Sequence, residues 1–495
     1  MRRRSHIAIV VSIAAIGVRL IAINQPFIGD WSWRQSDVAA IARNYLLGGF
    51  HFARPQIDWA GDQPGYVGTE FPILPFVAAL CYKAVGVHEW VGRVQGVIFF
   101  AVSLPFFFLL VREILGVRGA IWALVFYGVA PLGVMTSRCF IPDTPSLTLS
   151  IVGLYFFARW IESESEPRSG SAEFFLAAIA ISLSILIKLP SAIIGAPLAC
   201  LSFQRFNVSA FRNLRLWLFA AIALLPAAIW YWHAYQISLN FYPYHFFGAG
   251  GVKIMPFAWY WRIAKEIPML VLTPICFGLF VIGLFTTWRN EQQRHRAQPF
   301  YWWLAAMILF VIVVGYGNRH PWYRLPLVPI AAVFAGSGCE LIAARIRNLA
   351  LRVVGSIVVV ASLVFLSFAS LRGLYKPATA SLWEAGLTLK KITSPDALIA
   401  AADNGDPTVF YYGERKGWHL LQKNGIYYGD PADGESAISN LRELREKGAN
   451  YLVLSSNTMW LLDLYPDFRE YVQANSTLIS ATSQFEIYRL NPISK

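Results

Sequence analysis

The sequence predicts an all-α polytopic membrane domain followed by a small C-terminal α/β domain. Three observations lead there. Of 495 residues, 56% are hydrophobic and only 14% are charged, against about 25% charged in an average soluble domain. Mean hydropathy is +0.48, carried by runs that are helix-length and nearly free of charge, unlike the weak alternation of a β-barrel. From about residue 372 the composition becomes that of a soluble domain.

The charge is unevenly placed. The formal net charge is +13, yet residues 372–495 carry 13 basic and 14 acidic side chains, so the basic excess lies in the membrane part. Short basic loops beside anionic lipid are its ordinary cause. Nucleic-acid binding is a poor reading, because no soluble basic domain exists. The cysteines (Cys81, Cys139, Cys200, Cys276, Cys339) are scattered, without CxxC or metal-ligand spacing and without a readable disulfide framework. Arg2–Arg4 precede an apolar run with no small-residue cleavage site before Asp30, so the first helix is read as uncleaved.

A hydrocarbon core about 30 Å thick takes roughly 20 residues at about 1.5 Å rise. On that measure about eleven spans are expected, near 7–24, 93–111, 119–136, 144–161, 172–188, 190–204, 216–235, 268–287, 299–317, 323–343 and 352–371. Residues 72–86 are apolar but short, with Pro72 and Pro75, and read as an interfacial or re-entrant helix. The N-terminus and the loops at Arg112/Arg118, Arg205/Arg212/Arg215, Arg289/Arg294/Arg296 and Arg345/Arg347/Arg352 then lie in the cytoplasm, as the positive-inside rule asks.

The outer side receives a first loop (25–92) with juxtamembrane helices, a turn at Arg138–Asp143, a loop at 236–267, and the C-terminal region. A transmembrane domain over 1–371 and a soluble extracytoplasmic domain over 372–495 follow. In the latter, 398–402, 451–454 and 485–490 read as strands and 437–448 as a helix with a glycine stop. Residues 162–170 read as a plain polar connector, and no internal repeat is present.

Charged residues at the outer face are the candidates for chemistry. Gly29–Asp37 holds Asp30, Arg34 and Asp37 with two tryptophans just past the first span. A helix read over Ala39–Leu47 puts Asp37 near an N-terminus, where capping or pairing with Arg34 is the plain structural alternative. Asp143 also precedes a helix, with Pro145 early in it, and capping is equally open. Glu70 precedes the interfacial helix. Arg34, Arg138, Lys188, Lys253, Arg319 and Arg324 lie against the topological grain, joined by His320 and Tyr323. Jointly such cations suit a lipid-anchored phosphate. No Walker or GxGxxG motif occurs.

Five stretches taken in order resemble the polytopic GT-C-fold glycosyltransferases of family 39, which includes protein O-mannosyltransferases and aminoarabinose transferases. They are Trp33-Arg34-Gln35-Ser36-Asp37 with Ile41-Ala42-Arg43-Asn44, Glu70-Phe71-Pro72-Ile73-Leu74-Pro75, Ser137-Arg138 with Pro142-Asp143-Thr144-Pro145, Lys188-Leu189-Pro190, and His320-Pro321-Trp322-Tyr323-Arg324-Leu325-Pro326-Leu327. The resemblance implies a polyprenyl-phosphate sugar donor, an acceptor hydroxyl on a glycan, lipid or protein, and an active site on the extracytoplasmic face of a plasma (bacterial inner) membrane. It makes a first-loop carboxylate the base and Asp143 the second acid. The Lys188 and His320–Arg324 stretches would line the donor cavity. This chain departs from the family's adjacent Asp-Glu pair: Arg34-Gln35 stands there, and Asp30 and Asp37 flank it. The choice between them as base stays open, with Asp37 favoured.

The chemistry fits that reading. A phosphate leaving group asks for cations rather than a strong general acid, and one carboxylate removing the acceptor proton gives inversion. Retention needs a placed nucleophile. Oxygen ligands would suit Mg²⁺ or Mn²⁺, though three dispersed acids do not define a site. The alternatives are a ligase or polymerase of lipid-linked glycans, or a flippase or transporter. A transporter places ionisable groups along its spans, whereas here they gather at one face. Reporter tags at residues 114 and 165 are expected to read cytoplasmic and one at 250 external; any other pattern breaks the topology.

Overall fold

A computed structural model describes residues 2–163, 171–241, 251–285, 291–423 and 425–492. The connector at 164–170, Arg289 and the middle of the 236–267 loop (242–250) lie outside them. The chain divides into two compact units. The first is Met1–Ile23, Arg93–Tyr231 and Phe247–Arg372; the second is Asn24–Gly92, Trp232–Phe246 and Gly373–Lys495.

The first unit is helical. Five described helices are long and apolar enough to cross a membrane: Glu89–Val129, Leu214–Asn240, Glu291–Val314, Leu327–Arg345 and Leu349–Ser370. Two bent pairs, Pro131–Arg138 with Asp143–Ser163 (110°) and Phe257–Val271 with Pro274–Leu284 (112°), raise the number to seven if each is one span. The shorter apolar helices His6–Leu20 and Ser171–Ile187 fall on two further expected spans.

The breaks have local causes. Gly116 sits at φ 71 and turns the chain inside Glu89–Val129, a conformation that glycine adopts without a Cβ penalty. The span expected over 119–136 is interrupted instead, because Ala130 is extended and Pro131 starts a new helix. Lys188 is extended at φ −153, and Pro190 opens a 3-10 turn, Leu189–Ile194, before the helix Gly195–Phe206. The helices Pro274–Leu284 and Leu327–Arg345 approach so closely that a Cβ on Gly283 would fall 1.7 Å from the Phe334 carbonyl oxygen. Small residues permit such contacts between membrane helices. Hydroxyls add polar ties: Ser146 Oγ donates to the Ser184 carbonyl at 2.8 Å, joining Asp143–Ser163 to Ser171–Ile187.

The second unit is built on a five-stranded sheet. Its strands are β1 (Leu398–Ala402), β2 (Lys416–His419), β5 (Tyr451–Ser455), β6 (Ser476–Ala481) and β7 (Phe485–Leu490), while β3 (Gln422–Lys423) and β4 (Ile426–Tyr427) form a separate pair. The order is β2-β1-β5-β7-β6, parallel across β2-β1-β5 and antiparallel across β5-β7-β6. β1, β5 and β7 are the three strands expected from sequence, and the expected helix spans Gly434–Glu446, its N-terminus capped by Asp433 on the Ser436 N–H.

Two apolar cores flank the sheet. One gathers Ile438, Leu441, Leu454 and Phe468. The other mixes Leu382, Ile399, Val409 and Ile487 with Ile41, Tyr45, Ile57 and Trp59 from the first loop. The first loop is therefore part of this unit's core. The helix expected at Ala39–Leu47 runs from Ser32 to Gly48, so Asp37 lies in its second turn and is not a cap. The Ile73–Val85 helix packs on it through Phe76 against Tyr45. At 13 residues it is about 20 Å long, short of a full crossing.

Arg43, buried, fastens this helix. Its Nη2 donates to Asp58 Oδ2 at 2.6 Å and its Nη1 to the Tyr411 carbonyl. Asn44 donates to Asp58 Oδ1 at 2.8 Å. The Asp58 carbonyl accepts from the Gly417 N–H at 3.1 Å, tying the first loop to the edge strand β2. Arg43→Met would leave Asp58 charged, buried and unpaired, a loss of about 3–5 kcal/mol. Thermal unfolding of the purified protein should show a large drop in midpoint. Arg112→Ala, whose exposed partner is Glu113, should change stability by less than about 1 kcal/mol.

Candidate functional site

The sequence-derived candidates fall into both units. Asp143, Arg138, Lys188, Lys253, His320, Tyr323 and Arg324 belong to the first; Asp30, Arg34, Asp37 and Glu70 belong to the second.

In the first unit, Asp143 begins the helix Asp143–Ser163 and Lys188 occupies the break before Pro190. Both are buried, and Lys188 Nζ lies 2.8 Å from Asp143 Oδ1. The Tyr323 ring faces the same ammonium at 4.4 Å, a cation–π distance. They border a cavity of about 20 Å³ with Trp303, Trp322 and Ser191, which holds about one water-sized group. His320 stacks on Trp322 with centroids 4.6 Å apart.

Arg324 is 4% exposed. Its Nη2 donates to Glu266 Oε2 at 2.6 Å, while its Nε and Nη1 have no hydrogen-bond partner among the described residues. Two donors of a buried guanidinium are thus left for an anion. Among the cations at this face, Lys188 forms an ion pair with Asp143. Arg138 Nη2 reaches the end of the first helix, donating to the Ile21 and Ala22 carbonyls at 2.9 and 3.0 Å. Lys253 is exposed, 4.5 Å from the Tyr316 ring.

In the second unit, Arg34 is shared by two acids. Its Nη2 lies 2.8 Å from both Glu70 oxygens, and its Nη1 lies 3.4 Å from Asp37 Oδ2. One turn of helix brings Arg34 and Asp37 onto one face. The other Asp37 oxygen accepts from Trp59 Nε1 at 3.4 Å. Trp59 packs against His419, with centroids 5.0 Å apart, and His419 Nδ1 lies 2.8 Å from both Asp403 oxygens. Asp30 is exposed and lies against Gly373, away from any described acid–base partner. The helix start is also held by Ser32, which donates to Asp406 Oδ2 at 3.0 Å. Burial pushes the Asp406 carboxyl up to about 6 and raises Asp403 as well.

Trp59, His419, Asp403 and Glu266 escape a sequence reading. None stands in a motif, and only chain folding brings them to Asp37 or Arg324. Among the described residues no group of three His, Cys, Asp or Glu side chains is placed to hold an Mg²⁺ or Mn²⁺ ion.

Comparison with known proteins adds a second line of support. Residues 62–232 match the family described as dolichyl-phosphate-mannose-protein mannosyltransferase. No curated protein matches by sequence. Among solved structures, ArnT from Cupriavidus metallidurans bound to undecaprenyl phosphate superposes with a TM-score of 0.62 at 14% identity, covering 97% of both chains. The fold is that of the GT-C glycosyltransferases. The oligosaccharyltransferase AglB from Archaeoglobus fulgidus, in complex with an inhibitory peptide and a dolichol-phosphate, gives 0.60 at 11% identity, over 98% of this chain and 74% of that one. Arabinofuranosyltransferase AftD from Mycobacteria gives 0.57 at 13% identity, over 98% and 40%. Both comparisons agree with the family resemblance carried by the motifs and with glycosyltransferase as the enzyme class.

The Asp143–Lys188 pair separates structural from chemical roles. Lys188→Met alone should cost about 3–5 kcal/mol, because Asp143 is left buried and unpaired. Asp143→Asn with Lys188→Met should recover most of that stability in thermal unfolding. If the pair serves only packing, the double variant also regains activity; the expected outcome is that it stays inactive.

Proposed function

We propose that this GT-C-fold protein transfers a sugar from a polyprenyl-phosphate donor to an acceptor hydroxyl, on the extracytoplasmic face of a bacterial inner membrane. The observation that carries the reading is Arg324, a buried guanidinium with two donors left over, in a unit that also buries Lys188 beneath a tyrosine ring. A lipid-anchored phosphate supplies the anion such donors recognise. The solved structures with undecaprenyl phosphate and with a dolichol-phosphate support this donor class by fold.

The roles follow from chemistry. Arg324 and Lys188 stabilise negative charge on the phosphate as the anomeric C–O bond breaks, and the bonding electrons leave with the polyprenyl phosphate. Asp37 takes the proton of the acceptor hydroxyl as its oxygen attacks the anomeric carbon, which inverts. Two long contacts, from Arg34 and Trp59, hold that carboxylate while leaving lone pairs for the hydroxyl. Arg34 is kept in place by Glu70. Asp143 positions the Lys188 ammonium, and His320 braces Trp322. Lys253, exposed beside Tyr316, and Arg138, tied to the first helix, act at most through the elements they hold.

Mass spectrometry of glycolipids, glycoproteins and envelope polymers, with and without the gene, should reveal a sugar modification that vanishes on deletion. Wild type and Asp30→Asn should restore it. Asp37→Asn should fall by about 10² to 10⁴ in rate, the usual worth of a general base, with unchanged thermal stability. Full restoration by Asp37→Asn removes it as the base.

A further inference from the structure

We propose that the first unit contains a second lipid site, which takes the phosphate headgroup of an anionic bilayer phospholipid at the helix ends opposite the Asp143–Lys188 cavity. The site is a cavity of about 710 Å³, within the usual span of about 300–1,000 Å³ for small-molecule sites. It opens among the Glu89–Val129 helix at its break, the C-terminal ends of Asp143–Ser163 and Gly195–Phe206, and the start of Glu291–Val314. Asp143 begins one of these helices and Arg159 lies near its end. At about 1.5 Å per residue, the two are about 24 Å apart.

Its lining is sorted by chemistry. The buried lining residues, Ile114, Leu154, Ile161, Pro299 and Phe300, are all apolar; of the four lining arginines, Arg112, Arg159 and Arg205 are exposed and Arg296 is half-buried. Glu113, Glu162 and Glu291 are there too. Glu113 is engaged, with Arg296 at 2.8 Å and Arg112 at 3.4 Å. Arg159 makes no hydrogen bond or ion pair among the described residues, and it is exposed. The mouth therefore keeps a positive balance and a guanidinium to spend, and a guanidinium fork matches phosphate.

The apolar depth decides the class of occupant. Tyr155, Gln204, Gln292 and His295 also line the cavity but none is buried, so the buried part of the wall offers a soluble sugar nucleotide no side-chain hydrogen bonds. A phospholipid uses both halves, its phosphate at the arginines and its glycerol and acyl stem along the apolar wall. Two of the four lining helices are long and apolar enough to cross the membrane, so the mouth lies where such headgroups are. Basic pockets between membrane helices commonly take anionic headgroups. This site is independent of the sugar-transfer reading.

The test uses full-length protein, delipidated in detergent and titrated with phosphatidylglycerol, phosphatidylcholine, polyprenyl phosphate or inorganic phosphate, with bound molecules counted by native mass spectrometry. Wild type should hold one phosphatidylglycerol at least about tenfold more tightly than phosphatidylcholine, one charge-assisted contact's worth. Arg159→Gln with Arg205→Gln should remove that preference, while Arg262→Ala, on the exposed Phe257–Glu266 helix, should keep it. If the double variant fails to fold, Arg159→Gln alone should lower the preference at least about threefold. Equal binding of the two phospholipids by wild type, or undiminished preference in the variants, overturns the proposal. So does occupation of this arginine-dependent site by polyprenyl phosphate or inorganic phosphate in place of phosphatidylglycerol.

Discussion

A charge taken out of water must find its counter-charge, and that constraint organises both units. Arg43 with Asp58, Lys188 with Asp143, and Arg324 with Glu266 are ion pairs with at least one member fully buried. Buried pairs of this kind add little net stability against apolar replacements, but removing one member is severe. They therefore fix arrangements more than they strengthen them. Arg43 fixes the Ser32–Gly48 helix against the sheet of its unit, and the lysine fixes Asp143 at a helix start.

The distribution of charge also separates support from chemistry. Arg138 Nη2 donates to backbone carbonyls at the end of the first helix, as a capping cation does at a helix C-terminus. Arg324 keeps donors in reserve. Asp37 is held on both sides by contacts of 3.4 Å, longer than a strong charge-assisted bond. The acid carrying the proposed proton transfer is thus positioned without being saturated.

Much of this was legible in the sequence, for physical reasons. Uncharged runs of span length announce helices because lipid offers the backbone no partners. The inner strands β1, β5 and β7 are readable as apolar or alternating runs. β2, only four residues long, and β6, mostly exposed, carry no such pattern. The pairing of Lys188 with Asp143 links residues 45 positions apart and has no local signature. Trp59 beneath Asp37 depends on how the first loop folds back, and the Asp403–His419 pair behind it arrives from the far end of the chain. Asp37 lies a turn deeper in its helix than the apolar pattern from Ala39 suggests, because the polar start of the helix, Ser-Trp-Arg-Gln-Ser, hides a whole turn.

The mixed core of the second unit has a consequence for how the protein is made. Ile41, Tyr45 and Trp59 leave the ribosome early, yet the residues that cover them, among them Val409, Val453 and Ile487, are translated last. At about 5–20 residues per second, the Ser32–Gly48 helix waits tens of seconds for its partners. During that interval Arg43 and its apolar neighbours stand without the Tyr411 carbonyl and the sheet. The first loop thus presents an unfinished surface that only the end of the chain completes, so a nascent chain stalled before β1 would present that surface to chaperones and proteases.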